Sequence, residues 1–157
     1  MANTDNPNGF TFVKSFYGHE EMVEGDTLIN TTITKGDAII VASTAGQVDI
    51  AVSNSPQLLG FAAETVVTAA TSKKILYYPA LPGSVFEGQC SGTFATTMIN
   101  TAVDIEGATS IMEVNENATT EDVIQIIGYD PNSEVGANTR VRFIVLRSYF
   151  FPVLANK

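Results

Sequence analysis

Tryptophan is absent from these 157 residues, cysteine and histidine occur once each, and eight Lys plus Arg face seventeen Asp plus Glu. Each scarcity removes a class of function. A single Cys90 permits no intrachain disulfide and no multi-cysteine metal site. A single His19, set in an acidic stretch, cannot form the histidine cluster that a transition metal needs. The net charge of −9 and pI near 4.4 oppose a phosphate-backbone binder, which needs clustered Lys and Arg, so no nucleic-acid partner is expected. No stretch approaches the roughly eighteen apolar residues of a membrane span. The start, Met1-Ala2-Asn3-Thr4-Asp5, is polar and acidic where a secretory signal is basic and then apolar. Synthesis in a cytoplasm and no membrane partner are therefore expected, and the glycosylation-like Asn30-Thr31-Thr32 and Asn117-Ala118-Thr119 read as accidental.

Catalytic patterns are equally scarce. Cys90 lies in a Gly/Ser-rich stretch with only His19 as a base, which favours a buried structural thiol over a nucleophile. No serine occupies a Gly-x-Ser-x-Gly elbow and no glycine-rich phosphate loop is present. Residues 130–136, Asp-Pro-Asn-Ser-Glu-Val-Gly, alternate oxygen ligands, but the glycine comes one place late for a calcium loop and a proline interrupts it. A β-turn is the better reading. Glu20, Glu21, Glu24 and Asp26 read as a solvated face. No catalytic residue, cofactor or metal ligand is expected, and the chain is read as no enzyme.

What is present favours sheet. The sequence is 45% hydrophobic and only 16% charged, and it is rich in Thr, Ser, Asn, Ala, Val and Ile. Its length suits one sizeable core. Short apolar segments recur every eight to twelve residues between Gly, Asp, Asn and Ser, as in a sandwich or barrel. Strands are expected over 28–33, 38–42, 48–52, 58–63, 74–78, within 84–94 and 98–114, over 123–129, and over 139–146. Pro79 and Pro82 should end pairing there. Thr120-Glu121-Asp122 could start a short helix, but the Val/Ile/Tyr-rich run behind it favours a strand. The expected fold is all-β: a single compact β-barrel or β-sandwich over 27–147, an extended N-terminal arm over 1–26, and a short aromatic C-terminal tail over 148–157.

Two segments stand out as contact candidates. In residues 10–16 the even positions are aromatic or basic, which fits either an edge strand meeting a partner or a first strand packed on its own barrel. Phe10, Phe12, Phe16 and Tyr17 are the expected arm anchors, and a free arm over 1–18 should be removable without unfolding the barrel. Tyr149, Phe150 and Phe151 are expected either at a subunit contact or folded back on their own domain.

The pentapeptide Gln57-Leu58-Leu59-Gly60-Phe61 recurs as Gln125-Ile126-Ile127-Gly128-Tyr129, with a basic residue, Lys74 or Arg142, fourteen places after each glycine. One β-unit used twice would produce this spacing, and so would two unrelated hairpins of like composition.

The opening Asn6-Pro7-Asn8-Gly9-Phe10-Thr11-Phe12-Val13-Lys14, followed by Gly18, resembles that of small head proteins of tailed bacteriophages. The same order of landmarks continues with Gly36-Asp37-Ala38-Ile39-Ile40-Val41, Leu58-Leu59-Gly60-Phe61-Ala62 and Tyr77-Tyr78-Pro79. Val85-Phe86-Glu87-Gly88-Gln89 and Ile126-Ile127-Gly128-Tyr129 complete it. The resemblance spans most of the chain, and the acidic arm and long aromatic C-terminus depart from it. It implies a capsid decoration (cement) protein: a non-enzymatic β-barrel, homotrimeric, synthesised in the host cytoplasm. Such a protein sits on the outer surface of the virion and binds the major capsid protein. A carbohydrate- or receptor-binding β-domain on a virion surface is the alternative, with exposed aromatics such as Tyr77, Tyr78, Tyr149 or Phe150 as stacking platforms.

Overall fold

The computed structural model describes residues 3–18, 21–44 and 46–150. Among the described residues thirteen strands and one 3₁₀ turn, Thr96–Met98, give an all-β fold, and no helix there is long and apolar enough to cross a membrane. The strands are β1 (Thr11–Ser15), β2 (Val23–Thr27), β3 (Thr32–Ile33), β4 (Ala38–Val41), β5 (Gln47–Ile50), β6 (Gly60–Ala62) and β7 (Val66–Val67). They continue as β8 (Lys74–Pro79), β9 (Ser84–Gln89), β10 (Ala102–Glu106), β11 (Glu113–Asn115), β12 (Ile124–Tyr129) and β13 (Arg140–Val145).

Period-2 patterning sets the inward faces. Ile75 and Tyr77 of β8, and Val141 and Phe143 of β13, are buried between more exposed neighbours. Tight reversals use left-handed Asn30, Asn54, Asn100 and Asn138, a conformation that asparagine tolerates better than most residues. Pro79 is the last residue of β8, opposite Gly60, rather than a break before it.

Strands β2-β5-β4-β6-β8 close into a barrel, with β2 and β5 parallel and every other pair antiparallel. Ile33, Ile39, Val48, Leu59, Ala62, Val66, Ile75 and Tyr77 fill it, the first and sixth of these delivered by the β3–β7 ribbon. The second sheet runs β1-β9-β13-β12-β10-β11. It too curls round, because Cys90, just past β9, bridges in parallel to Val114 of β11 and Ser91 N–H donates to the Val114 carbonyl at 3.0 Å.

The second set repeats the first. β9, β10, β11, β12 and β13 take the places of β2, β4, β5, β6 and β8, down to the single parallel closure. The registers agree residue for residue: Val41 faces Val48 as Ile105 faces Val114, and Ala38 faces Phe61 as Ala102 faces Gln125. A β-unit is therefore used twice, although not in the register of the pentapeptide. Gly60 faces Ile39 as Ile124 faces Val103, so Gly60 corresponds to Ile124 rather than to Gly128. The pentapeptides match in composition while their glycines do different work. Gly60 lies where a β-carbon would collide with the Tyr78 carbonyl, whereas Gly128 has open space around it beside a β-bulge. The sequence match in the structural register is Val23-Glu24-Gly25 against Phe86-Glu87-Gly88, since Val23 faces Tyr77 as Phe86 faces Phe143.

Residues 3–18 and 21–27 do not form a free arm, and the division at residue 26 falls inside β2. β1 pairs with β9, and β2 with β8 and β5. Asn3 is held on the β12–β13 loop: its amide donates to the Glu134 and Ala137 carbonyls, and its oxygen accepts from Ser133 Oγ and Glu134 N. Phe10 and Phe12 are corrections to the expected arm anchors. Phe10 is 3% exposed and lies edge-on to Phe61 of the first barrel and Phe143 of the second, with centroids at 5.1 and 5.4 Å. Phe12 stacks on Tyr78 at 5.1 Å and meets Phe86 edge-on at 5.7 Å. Aromatic side chains of this size gain most by leaving water, and the junction between the barrels offered them an interior.

A buried carboxylate marks the same junction. Asp37 accepts from Thr34 N and Thr109 Oγ1 through one oxygen and from Ser110 N through the other, tying the first barrel to the β10–β11 loop of the second. Burial pushes its carboxyl above the usual range, and those three hydrogen bonds pull the other way. Asp104 is likewise buried, in the middle of β10. It accepts from the amides of Thr120, Glu121 and Asp122, which fixes a bend ending in the left-handed Asp122 (φ 53°) that leads into β12 instead of a helix.

Candidate docking surface

After Ser15 the chain reverses in a tight turn. Gly18 N–H donates to the Ser15 carbonyl at 3.3 Å, and Gly18 takes a φ of +80°. Phe16 N–H donates to the Gly83 carbonyl at 2.9 Å, which fastens this turn to the one joining β8 and β9. The Tyr17 ring covers Gly83, where a β-carbon would stand 2.8 Å from Tyr17 Cε2. The ammonium of Lys14 lies 5.2 Å from the Phe16 ring centroid. Phe16 and Tyr17 are nonetheless 61% and 73% exposed, with Leu81 of the β8–β9 turn also exposed. These aromatics are held by backbone bonds and face solvent.

The second aromatic group is tied to the first barrel through Leu58. Leu58 N–H donates to the Arg147 carbonyl and Tyr149 N–H to the Leu58 carbonyl, at 2.9 and 3.1 Å, around the buried Ser148. The next residue, Leu59, accepts from Ala80 N–H at 2.9 Å, and Ala80 opens the turn that carries Leu81 and Gly83. Tyr149 and Phe150 remain partly exposed there, with Leu146. Phe151 lies outside the described residues, as do His19 and Glu20.

Of the seven expected contact residues, Phe16 and Tyr17 face solvent beside the Ala80–Gly83 turn, and Tyr149 and Phe150 are exposed where residues 147–149 pair with Leu58. Phe10 and Phe12 go inward. Leu81 and Gly83 were missed in the sequence, where Pro82-Gly83 signalled only the end of a strand.

The remaining chemical candidates resolve locally. Cys90 is fully buried, and burial first, then the charges of Glu116 and Glu113, push its thiol far up, so it stays protonated at neutral pH. Asp130 Oδ1 accepts from Asn132 N and Asn132 Nδ2 and faces Arg142 at 3.8 Å, within a turn closed by Ser133 N–H to the Asp130 carbonyl. Glu87 bridges Arg140 and Arg142 at 3.1 and 3.2 Å. Burial chiefly, and then Asp5, Glu106 and Glu116, raise the Glu113 carboxyl, which the Gln89 amide partly offsets. A polar cleft of about 240 Å³ lies between Asn3, Asn6, Gln89, Asn132 and Arg140, but its amides at Asn3, Gln89 and Asn132 already bond within the protein. Among the described residues no three His, Cys, Asp or Glu side chains are grouped to hold a metal ion. The chain matches no protein-family model and no curated protein sequence.

Proposed function

We propose that this protein decorates the outside of a tailed-phage icosahedral capsid, as a non-enzymatic homotrimer that bridges subunits of the major capsid protein and so stabilises the shell. The observation that carries the reading is the exposed aromatic pair Phe16 and Tyr17, anchored by backbone bonds beside Leu81 of the Ala80–Gly83 turn, together with the exposed Tyr149 and Phe150 where the chain pairs with Leu58. Rigid aromatic anchors at low entropic cost suit a contact that is weak singly and strong when repeated over a lattice. The order of sequence landmarks supports the same reading. An acidic chain on the outer surface also stays clear of the packaged nucleic acid.

Two measurements test this. Quantitative mass spectrometry of purified source particles should give a ratio to the major shell protein near one or a simple fraction of one. A ratio near zero overturns the reading. In vitro, the Phe16→Ala/Tyr17→Ala double variant should keep its melting temperature and lose binding to undecorated particles, and undiminished binding removes this surface from the contact.

A further inference from the structure

The two barrels are equivalent strand for strand but differ in what borders them. Thr27 N–H donates to the Lys73 carbonyl as Cys90 N–H does to Thr139, and Leu28 N–H donates to Val48 as Ser91 N–H does to Val114. These bonds set Met22-Val23-Glu24-Gly25 of the first barrel on Val85-Phe86-Glu87-Gly88 of the second. Beyond the shared closure, the outer edge of β9 continues into pairing with β1, with Glu87 opposite Thr11 and Val85 opposite Lys14. On β2 the pairing with β5 stops at Asp26, and among the described residues no strand runs along Met22–Glu24 on that side. Thr27 N–H faces β8, so by alternation Gly25 and Val23 face β8 as well, and the N–H and C=O of Glu24 turn outward. Exposure follows the missing neighbour: Val85 and Phe86 are fully buried, while Met22 and Val23 are 50% and 37% exposed. The rim is acidic, with Glu21 and Glu24 exposed and Asp26 half-buried, and Lys74 of β8 pairs with Glu24 at 3.4 Å and with Asp26 at 3.1 Å, which leaves one negative charge in excess among these three groups and a further one at Glu21.

We propose that the Met22–Glu24 edge is a strand-addition site for an extended, basic strand of another protein, of the kind that Thr11-Phe12-Val13-Lys14-Ser15 presents to β9. Main-chain hydrogen bonds to Glu24 supply the binding, apolar side chains cover Met22 and Val23, and a basic side chain meets Glu21 and shares the Glu24 carboxylate with Lys74. A second copy suits the site less well. Each copy carries −9, and its own β1 is already paired with β9 and bulged between Phe12 and Lys14, which blunts its other edge. On the capsid reading the strand belongs to a shell subunit. The solution experiment stands without that reading, and particle copy number tests it separately.

The probe is a fluorescein-labelled synthetic peptide of residues 9–17 titrated onto the full-length protein, read by anisotropy and by residue-resolved amide exchange. At saturation the Glu24 amide should exchange about tenfold more slowly, while Val23 and Gly25, already bonded to β8, keep their rates. Glu24→Pro removes only an outward N–H, the one place where an edge strand tolerates proline, and should abolish binding with the fold retained. Glu24→Lys, which keeps the backbone donor, should weaken binding by opposing the peptide's lysine, so the idea stays testable if the proline variant misfolds. An unprotected Glu24 amide at saturating peptide overturns the proposal, as does a folded proline variant that binds like the parent. Protection that rises with protein concentration without peptide also overturns it, by giving the edge to a second copy.

Discussion

Replacing Phe10 by alanine tests whether the N-terminal segment is an arm or part of the core. The ring is 3% exposed and touches Phe61 from one barrel and Phe143 from the other. Its space exists because residue 88 is glycine: a β-carbon there would stand 2.5 Å from Phe10 Cδ1. Truncating a buried phenylalanine removes its transfer free energy and leaves a cavity, together about 3–5 kcal/mol. Against a total stability of about 5–15 kcal/mol this is a large loss, and for a chain of this size it corresponds to a fall in Tm of about 10 °C. Urea denaturation followed by far-UV circular dichroism measures it. Phe16→Ala and Tyr17→Ala, at 61% and 73% exposure, should each stay within about 0.5 kcal/mol of the parent. A Phe10→Ala loss below about 1 kcal/mol would refute the reasoning and return residues 3–15 to the status of a detachable arm.

A carboxyl raised by burial binds its proton more tightly in the folded chain than in the unfolded one. The charge on Glu113 therefore costs stability above its folded-state value, and that cost fades as the pH falls toward 4.5. Glu113→Gln should raise Tm at neutral pH, with the gain vanishing near pH 4.5, and a scan that shows no pH-dependent gain counts against the acidic cluster of Asp5, Glu106 and Glu116. Cys90, buried and with its thiol held protonated, should resist maleimide in the native protein and react once unfolded in urea. Rapid native labelling would show that the second barrel opens around Cys90.

The sequence by itself determined that the chain would be all sheet, because β-branched and small polar residues alternate between Gly, Asn and Asp turn formers, and period-2 alternation survives any arrangement of the strands. It also determined the fate of Cys90, whose Gly/Ser-rich strand offers no nearby base. Tertiary structure alone decided where the aromatics of residues 10–17 go. Phe10, Phe12 and Phe16 read alike in sequence, yet two fill the junction between the barrels and the third stays on the surface, because only assembly of β9, β13 and β6 creates the cavity beside Gly88. The duplication was half legible. The pentapeptides around Gly60 and Gly128 pointed to it in the wrong register, since matching letters do not reveal which backbone groups face each other. The pairing of Val41 with Val48 and of Ile105 with Val114 does reveal it, and it also leaves Met22–Glu24 open where the equivalent edge of β9 is filled. An open strand edge is a property of what lies beside a strand, and that is fixed by residues distant in the chain.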